Sequence, residues 1–285
     1  MDVNKLAVKI LTGFNPDKLE TLFYDILDIL VKNGLSNFNE LAKIALQRFK
    51  SFNLFKTLID LGADNLDELA LIAALSLKPA ELLLCLDNGA RNVDEIARII
   101  LSNYITKKIE ITYALIRNGI NLKDLAVYAA LYCNLDILLI IDDIDDLDVN
   151  TVIYIAAEKG YTNIFMHFIN IFTGDINHAA YQASKNIFCD KIVLKCIQKG
   201  ATNLNEIAHN AAETGNINVV KMAFENGAYD IGTTGLIAAG NGNLSVVEFS
   251  INNGAEDCIE AMILIAKEKD YKRIVDFLTN KILDK

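Results

Sequence analysis

A turn signal that returns about every 27 residues constrains this chain of 285 residues more than any other feature. Glycine, usually preceded by Asn or followed by Ala, stands at Gly34, Gly62, Gly89, Gly119, Gly174, Gly200, Gly227 and Gly254. The successive gaps are 28, 27, 30, 55, 26, 27 and 27. The gap of 55 is two periods, and the turn missing from it falls among Asp142, Asp143, Asp145 and Asp146. Self-similarity at a fixed short period marks a repeat array, in which no unit can bury its own apolar face and each must stack on its neighbours.

The units can be laid over one another. Residues 62–88 read GADNLDELALIAALSLKPAELLLCLDN and residues 200–226 read GATNLNEIAHNAAETGNINVVKMAFEN, aligned without a gap. After four of these glycines an Asn-x-x-Glu pattern recurs at the same offset, at Asn37 and Glu40, Asn65 and Glu68, Asn92 and Glu95, and Asn203 and Glu206. It reads as a capping box: the Asn accepts from first-turn N–H groups and the Glu reaches back. A first helix follows with small residues at helical spacing, as in Ala70 with Ala73 and Ala74, or Ala208 with Ala211 and Ala212. A short turn then leads to a more aliphatic second helix, which the next glycine closes in the left-handed conformation. No sustained period-two alternation competes. The expected fold is all-α, a solenoid of about ten stacked helix pairs with tight turns. Residues 1–33 form an N-terminal cap pair and 34–253 the repeats, degenerate around 119–199. Residues 254–285 form the last repeat and a charged cap.

The stretch Ala211-Ala212-Glu-Thr-Gly215-Asn216-Ile-Asn-Val219-Val220, closing with Asn226-Gly227-Ala228, resembles the ankyrin repeat, and Ala238-Ala239 through Gly254-Ala255 resembles it equally. The ankyrin repeat runs 33 residues, with a β-turn finger and a Thr-Pro-Leu-His start to its first helix. Here the unit is about six residues shorter and that start is absent, so the β-hairpin finger is expected to be cut to a tight turn. The shortened units and heavy Asn, Ile and Lys usage are similar to ankyrin-type proteins of large DNA viruses and some intracellular bacteria. The resemblance implies a non-enzymatic protein–protein interaction scaffold, with a partner bound along the concave face of the first helices. Contacts in that family come from finger tips and from the residues that follow Ala-Ala. Carried onto this chain, the partner-binding candidates are Arg48, Tyr132, Lys159, Lys185, Glu213, Asn241 and Glu268 after Ala-Ala, with Arg91 and Tyr229 at the turn tips.

The remaining composition narrows the function classes. A net charge of −10 opposes a nucleic-acid or anionic-membrane surface, both of which need clustered Lys and Arg. Mean hydropathy is positive, but the most apolar stretch, Leu125 to Ile141, is interrupted by Asn134 and Asp136 and falls short of a membrane span. No signal peptide opens the chain. The five cysteines include no C-x-x-C pair and read as reduced, mostly buried thiols of a cytoplasmic protein, in a host cytoplasm if the source is viral. His167, His178 and His209 supply no zinc spacing. The acidic run from Asp142 to Asp148 offers Asp148 and Tyr154 where a calcium loop beginning at Asp143 needs Gly and Glu, so a solvated turn is the better reading. Phosphate-cradle, G-x-S-x-G and H-E-x-x-H motifs are missing. His209 and Glu213 share a helical face without a nucleophile in their unit. No catalytic residue, cofactor or metal is assigned, and the expected state is a monomer. Two other classes stay open: a self-assembling structural component of a virion type, and a substrate adaptor for a ubiquitin ligase.

Overall fold

The computed structural model describes residues 2–13, 25–49, 51–144 and 147–283. All regular structure among them is helical, and it forms ten helix pairs. The chain divides into two compact units, Met1–Leu147 and Asp148–Lys285, so the boundary falls inside the degenerate region. The first unit holds α1 (Val3–Gly13) with α2 (25–32), α3 (Phe38–Arg48) with α4 (Phe52–Asp60), and α5 (Leu66–Leu75) with α6 (Pro79–Asp87). It continues with α7 (Val93–Ser102) and α8 (Lys108–Arg117), then α9 (Leu122–Leu131) and α10 (Leu135–Asp143). The second unit holds α11 (Val149–Lys159) with α12 (Thr162–Phe168), α13 (Ile176–Ser184) with α14 (Asp190–Gln198), and α15 (Leu204–Thr214) with α16 (Ile217–Glu225). It ends with α17 (Ile231–Gly240) and α18 (Leu244–Asn252), then α19 (Ile259–Glu268) and α20 (Lys272–Leu283).

Within each unit a first helix packs on its own second helix and on the first helix of the next pair. The sequence dictates this. On α5 the residues Leu69, Ala70, Ala73 and Ala74 are fully buried, and on α15 Ile207, Ala208, Ala211 and Ala212 are. Their 3-and-4 spacing covers one side of the helix, and the small side chains let the neighbouring backbone approach closely. Lys267 stands where the other first helices carry the second residue of the Ala-Ala pair, and it is exposed. The last pair of the second unit thus presents a charge where Ala157, Ala212 and Ala239 are buried.

The turns close as the glycines foretell. Gly34, Gly62, Gly89, Gly119, Gly200, Gly227 and Gly254 all have positive φ. Gly174 does not; it is required by space instead. A Cβ there would lie 2.6 Å from the Tyr154 hydroxyl and 2.7 Å from the Phe172 ring. No strand pairs one turn with the next among the described residues; side chains do this instead. The second residue of a first helix accepts from backbone N–H groups of the following turn. Asn39 Oδ1 accepts from Asp64 (2.8 Å), Asp67 Oδ1 from Arg91 (2.5 Å) and Asn177 Oδ1 from Thr202 (2.7 Å). Asn205 Oδ1 accepts from both Tyr229 (2.9 Å) and Asp230 (3.1 Å). Asn150 does the same, more loosely, for Thr173 (3.2 Å).

A second ladder runs at the other end of the first helices. The last carbonyls of an α-helix have no partner within the helix. Lys78 Nζ donates to Leu46 O (2.5 Å) and Phe49 O (2.7 Å), Asn134 Nδ2 to Leu101 O (3.1 Å), and Asn243 Nδ2 to Ala212 O (2.8 Å) and Glu213 O (3.0 Å). Each donor belongs to the next pair in the stack. The link between the two helices of a pair uses a left-handed residue: Gly160, Gly215 and Gly242 in three pairs, but Leu77, Lys107, Cys133 and Asp270 in four others.

The Asn-x-x-Glu pattern is corrected by the geometry. Asn37, Asn65, Asn92 and Asn203 do precede their helices, but none accepts from a first-turn N–H. Their ψ angles, 45 to 48°, lie far from the extended value that brings a cap side chain over the helix end. Instead the amide donates to the Glu: Asn37 to Glu40 (3.0 Å), Asn65 to Glu68 (2.9 Å) and Asn203 to Glu206 (3.1 Å). Accepting caps are made elsewhere, by Ser51, Asn121, Asp148, Asp175, Asn216 and Asp230. In the acidic run, Asp145 and Asp146 lie outside the described residues. Asp148 caps α11, accepting from the Thr151 N–H (3.2 Å) and hydroxyl (2.8 Å).

Candidate interaction surface

The buried side of each first helix leaves an opposite stripe at i, i+3, i+4 and i+7. On α5 this stripe is Glu68, Leu71, Ile72 and Leu75; the middle two are half-buried and the outer two exposed. The same grading holds on α3 (Lys43 and Ile44 in the middle) and on α15 (His209 and Asn210). In the first unit the middle positions are mostly aliphatic, and ion pairs and rings tie them across repeats. Lys43 pairs with Glu68, and the two hydrogen bonds from Lys43 and Asn65 hold the Glu68 carboxyl below its usual pKa. Arg98 donates to the Tyr128 hydroxyl (2.7 Å), with its guanidinium 4.8 Å from the ring centre.

In the second unit the stripe is aromatic at its start and more polar along α15. Tyr154 packs edge-on to His178 (4.8 Å) and to Phe172 (5.6 Å), and its hydroxyl accepts from the Asp175 N–H (2.8 Å). His209 Nε2 lies 3.4 Å from Asp230 Oδ2 without hydrogen-bond alignment, so the contact gains strength only when the ring is protonated. Glu213 is one helical turn away and exposed; it makes no pair with His209.

All nine residues singled out from the sequence are exposed, but they do not share one patch. Lys185, Glu213 and Glu268 stand at the outer end of the stripe. Arg48, Tyr132, Lys159 and Asn241 come one residue later, about 100° further round the helix, at its C-terminal edge. Several are occupied: Arg48 donates to Thr12 O (2.6 Å), Lys159 pairs with Glu158 (2.8 Å), Lys185 covers the Tyr181 ring (3.9 Å), and Asn241 caps its own helix through Ile237 O (2.9 Å). Arg91 and Tyr229 lie at the opposite, N-terminal edge, where their backbones join the turn ladder. Sequence reading missed the two residues before Ala-Ala, which form the middle of the stripe. The helical period would have found them, since they face away from the alanines.

Other chemistry on the described residues is sparse. No group of three or more His, Cys, Asp or Glu could hold a metal ion, and no helix is long and apolar enough to cross a membrane. None of the five cysteines forms a disulfide. Burial pushes Cys85 and Cys196 up to about 12 and Cys189 up to about 11. No protein-family model matches the chain, and no curated protein matches it.

Proposed function

We propose that this chain is a non-enzymatic, ankyrin-type scaffold that binds another protein along the open stripe of its first helices, and that it works as a monomer. The observation that carries this reading is the recurrence of half-buried residues at the same two positions in successive first helices. In the first unit Ile44, Leu71, Ile72, Ile99 and Val127 supply apolar area, and charged residues such as Glu68 and Arg98 border it. An apolar centre with a polar rim is the anatomy of a protein-binding surface. Recognition by repeat arrays uses such surfaces, because equivalent positions can vary without disturbing the stack. The exposed Lys267 at the end of the second unit's stack supports the monomeric state, since it opposes end-to-end addition of another pair.

The test combines Glu68→Arg, Leu75→Ser and Arg98→Glu in one variant. Proteins retained by the wild-type chain from its native cell extract are crosslinked and identified. The variant is expected to lose them while its melting temperature stays within a few degrees. Retention of the same proteins by a folded variant would remove the stripe as the binding surface.

A further inference from the structure

The link between α7 and α8 is longer than those of the neighbouring pairs in the first unit. It runs over five residues, Asn103 to Lys107, where α5–α6 and α9–α10 use three. Beside it lies a cleft of about 640 Å³, walled by Ile105, Ile109 and Ile137 and edged by Tyr104, Lys107 and Lys108. Tyr104 is 92% exposed and Ile109 49%, so apolar surface on both sides of the opening stands in water.

The charge balance of the cleft is specific. Lys107 pairs with Glu110 (3.4 Å). Lys108 Nζ has only the neutral Asn134 Oδ1 (3.0 Å); among the described residues no carboxylate lies within 4.0 Å of it. The corresponding lysine of the preceding second helix, Lys78, is satisfied by two carbonyls at a helix C-terminus. Lys78 precedes α6 and Lys108 opens α8, so both stand at a helix end that repels a cation, but Lys108 Nζ meets only the Asn134 amide oxygen there. The half-buried position of Lys108 already disfavours the charged form by desolvation. Asp136 also lines the cleft, so the charges of Lys107, Lys108, Glu110 and Asp136 cancel; a single carboxylate is accepted through direct contact with Lys108, and a polyanion is opposed.

We propose that this cleft docks a peptide segment of a partner protein in which one Asp or Glu adjoins an aliphatic or aromatic side chain. The apolar side chain fills the space between Ile105, Ile109 and Ile137, and the carboxylate meets Lys108. The inference rests on the protein-binding reading but uses a surface separate from the first-helix stripe.

The full chain is panned with a phage-displayed random dodecapeptide library, and the enriched peptides are synthesised and their affinities measured. Peptides with Asp or Glu next to Leu, Ile, Phe or Tyr are expected. Lys108→Gln should weaken them at least tenfold and Tyr104→Ser several-fold, with both variants melting as the wild type does. The stripe variant Glu68→Arg/Leu75→Ser/Arg98→Glu should bind them unchanged. Failure to enrich any peptide, or enriched peptides that lack a carboxylate or are indifferent to Lys108→Gln, overturns the proposal. Peptides lost only in the stripe variant would overturn the cleft while leaving the stripe standing.

Discussion

Asn205 Oδ1 accepts from the backbone N–H groups of both Tyr229 and Asp230, at 2.9 and 3.1 Å, and so fastens one repeat's first helix to the turn of the next. No strand joins the turns among the described residues, and this one side chain ties them instead. Asn205→Ala should cost on the order of 1 kcal/mol, the usual net worth of such bonds where water can replace them in part. Asn205→Asp should keep most of that stability, because its carboxylate still accepts. Urea unfolding of the two variants checks the order.

Gly215 and Gly200 separate conformation from space. Both have positive φ, 79° and 98°. A Cβ at Gly200 meets nothing within 4 Å, but one at Gly215 would lie 2.6 Å from Asn243 Oδ1. Asn243 also holds the end carbonyls of α15 through its amide. Gly200→Ala should cost about 1–2 kcal/mol from backbone strain alone. Gly215→Ala should cost clearly more, because the clash also loosens the Asn243 bonds. Equal losses in denaturant titrations would contradict the role given to Asn243.

Leu77 takes φ 54° with its side chain 47% exposed, at a position where other pairs use glycine. A left-handed leucine carries a strain of about 1–2 kcal/mol, and glycine removes it at an entropic cost of about 0.5–1 kcal/mol. Leu77→Gly is therefore expected to raise stability by roughly half to one kcal/mol, seen as a higher melting temperature.

The buried thiols give the chain an alkaline limit. Cys85 and Cys196 titrate at about 12 and Cys189 at about 11 in the folded chain, against an ordinary value of 9.0. The folded state thus keeps protons that the unfolded state releases. The stabilisation is complete below pH 9 and is lost progressively as pH rises toward 11 and 12. Each thiol contributes a slope of at most about 1.4 kcal/mol per pH unit in that window. Cys85→Ala should flatten the decline above pH 9. At pH 8, a thiol reagent should modify exposed Cys133 in the native chain and reach Cys85, Cys189 and Cys196 only on unfolding.

The period and the pairing of helices were legible in the sequence because glycine and alanine act locally. Gly227, after Asn226, closes its helix in the left-handed conformation, and Ala211-Ala212 faces a close neighbour. The ties between repeats were not legible. Asn203 and Asn205 are the same residue type two positions apart, yet one donates to its own Glu206 and the other accepts from the next turn. Only the position of that next turn distinguishes them. The binding candidates suffered in the same way. Arg48 and Asn241 follow the Ala-Ala positions, but carbonyls near helix ends claim both side chains.

The central claim is that consecutive pairs are interchangeable modules held by their neighbours, and excision of one module tests it most directly. Deletion of residues 200–226 removes the 27-residue unit that contains α15 and α16 and joins Lys199 to Gly227 in register. The shortened chain should fold cooperatively, keep the helical signal of its remaining pairs, and show a urea m-value lower by about a tenth, in proportion to the surface removed. Loss of cooperative unfolding, or of helical signal well beyond that of the excised residues, would contradict it.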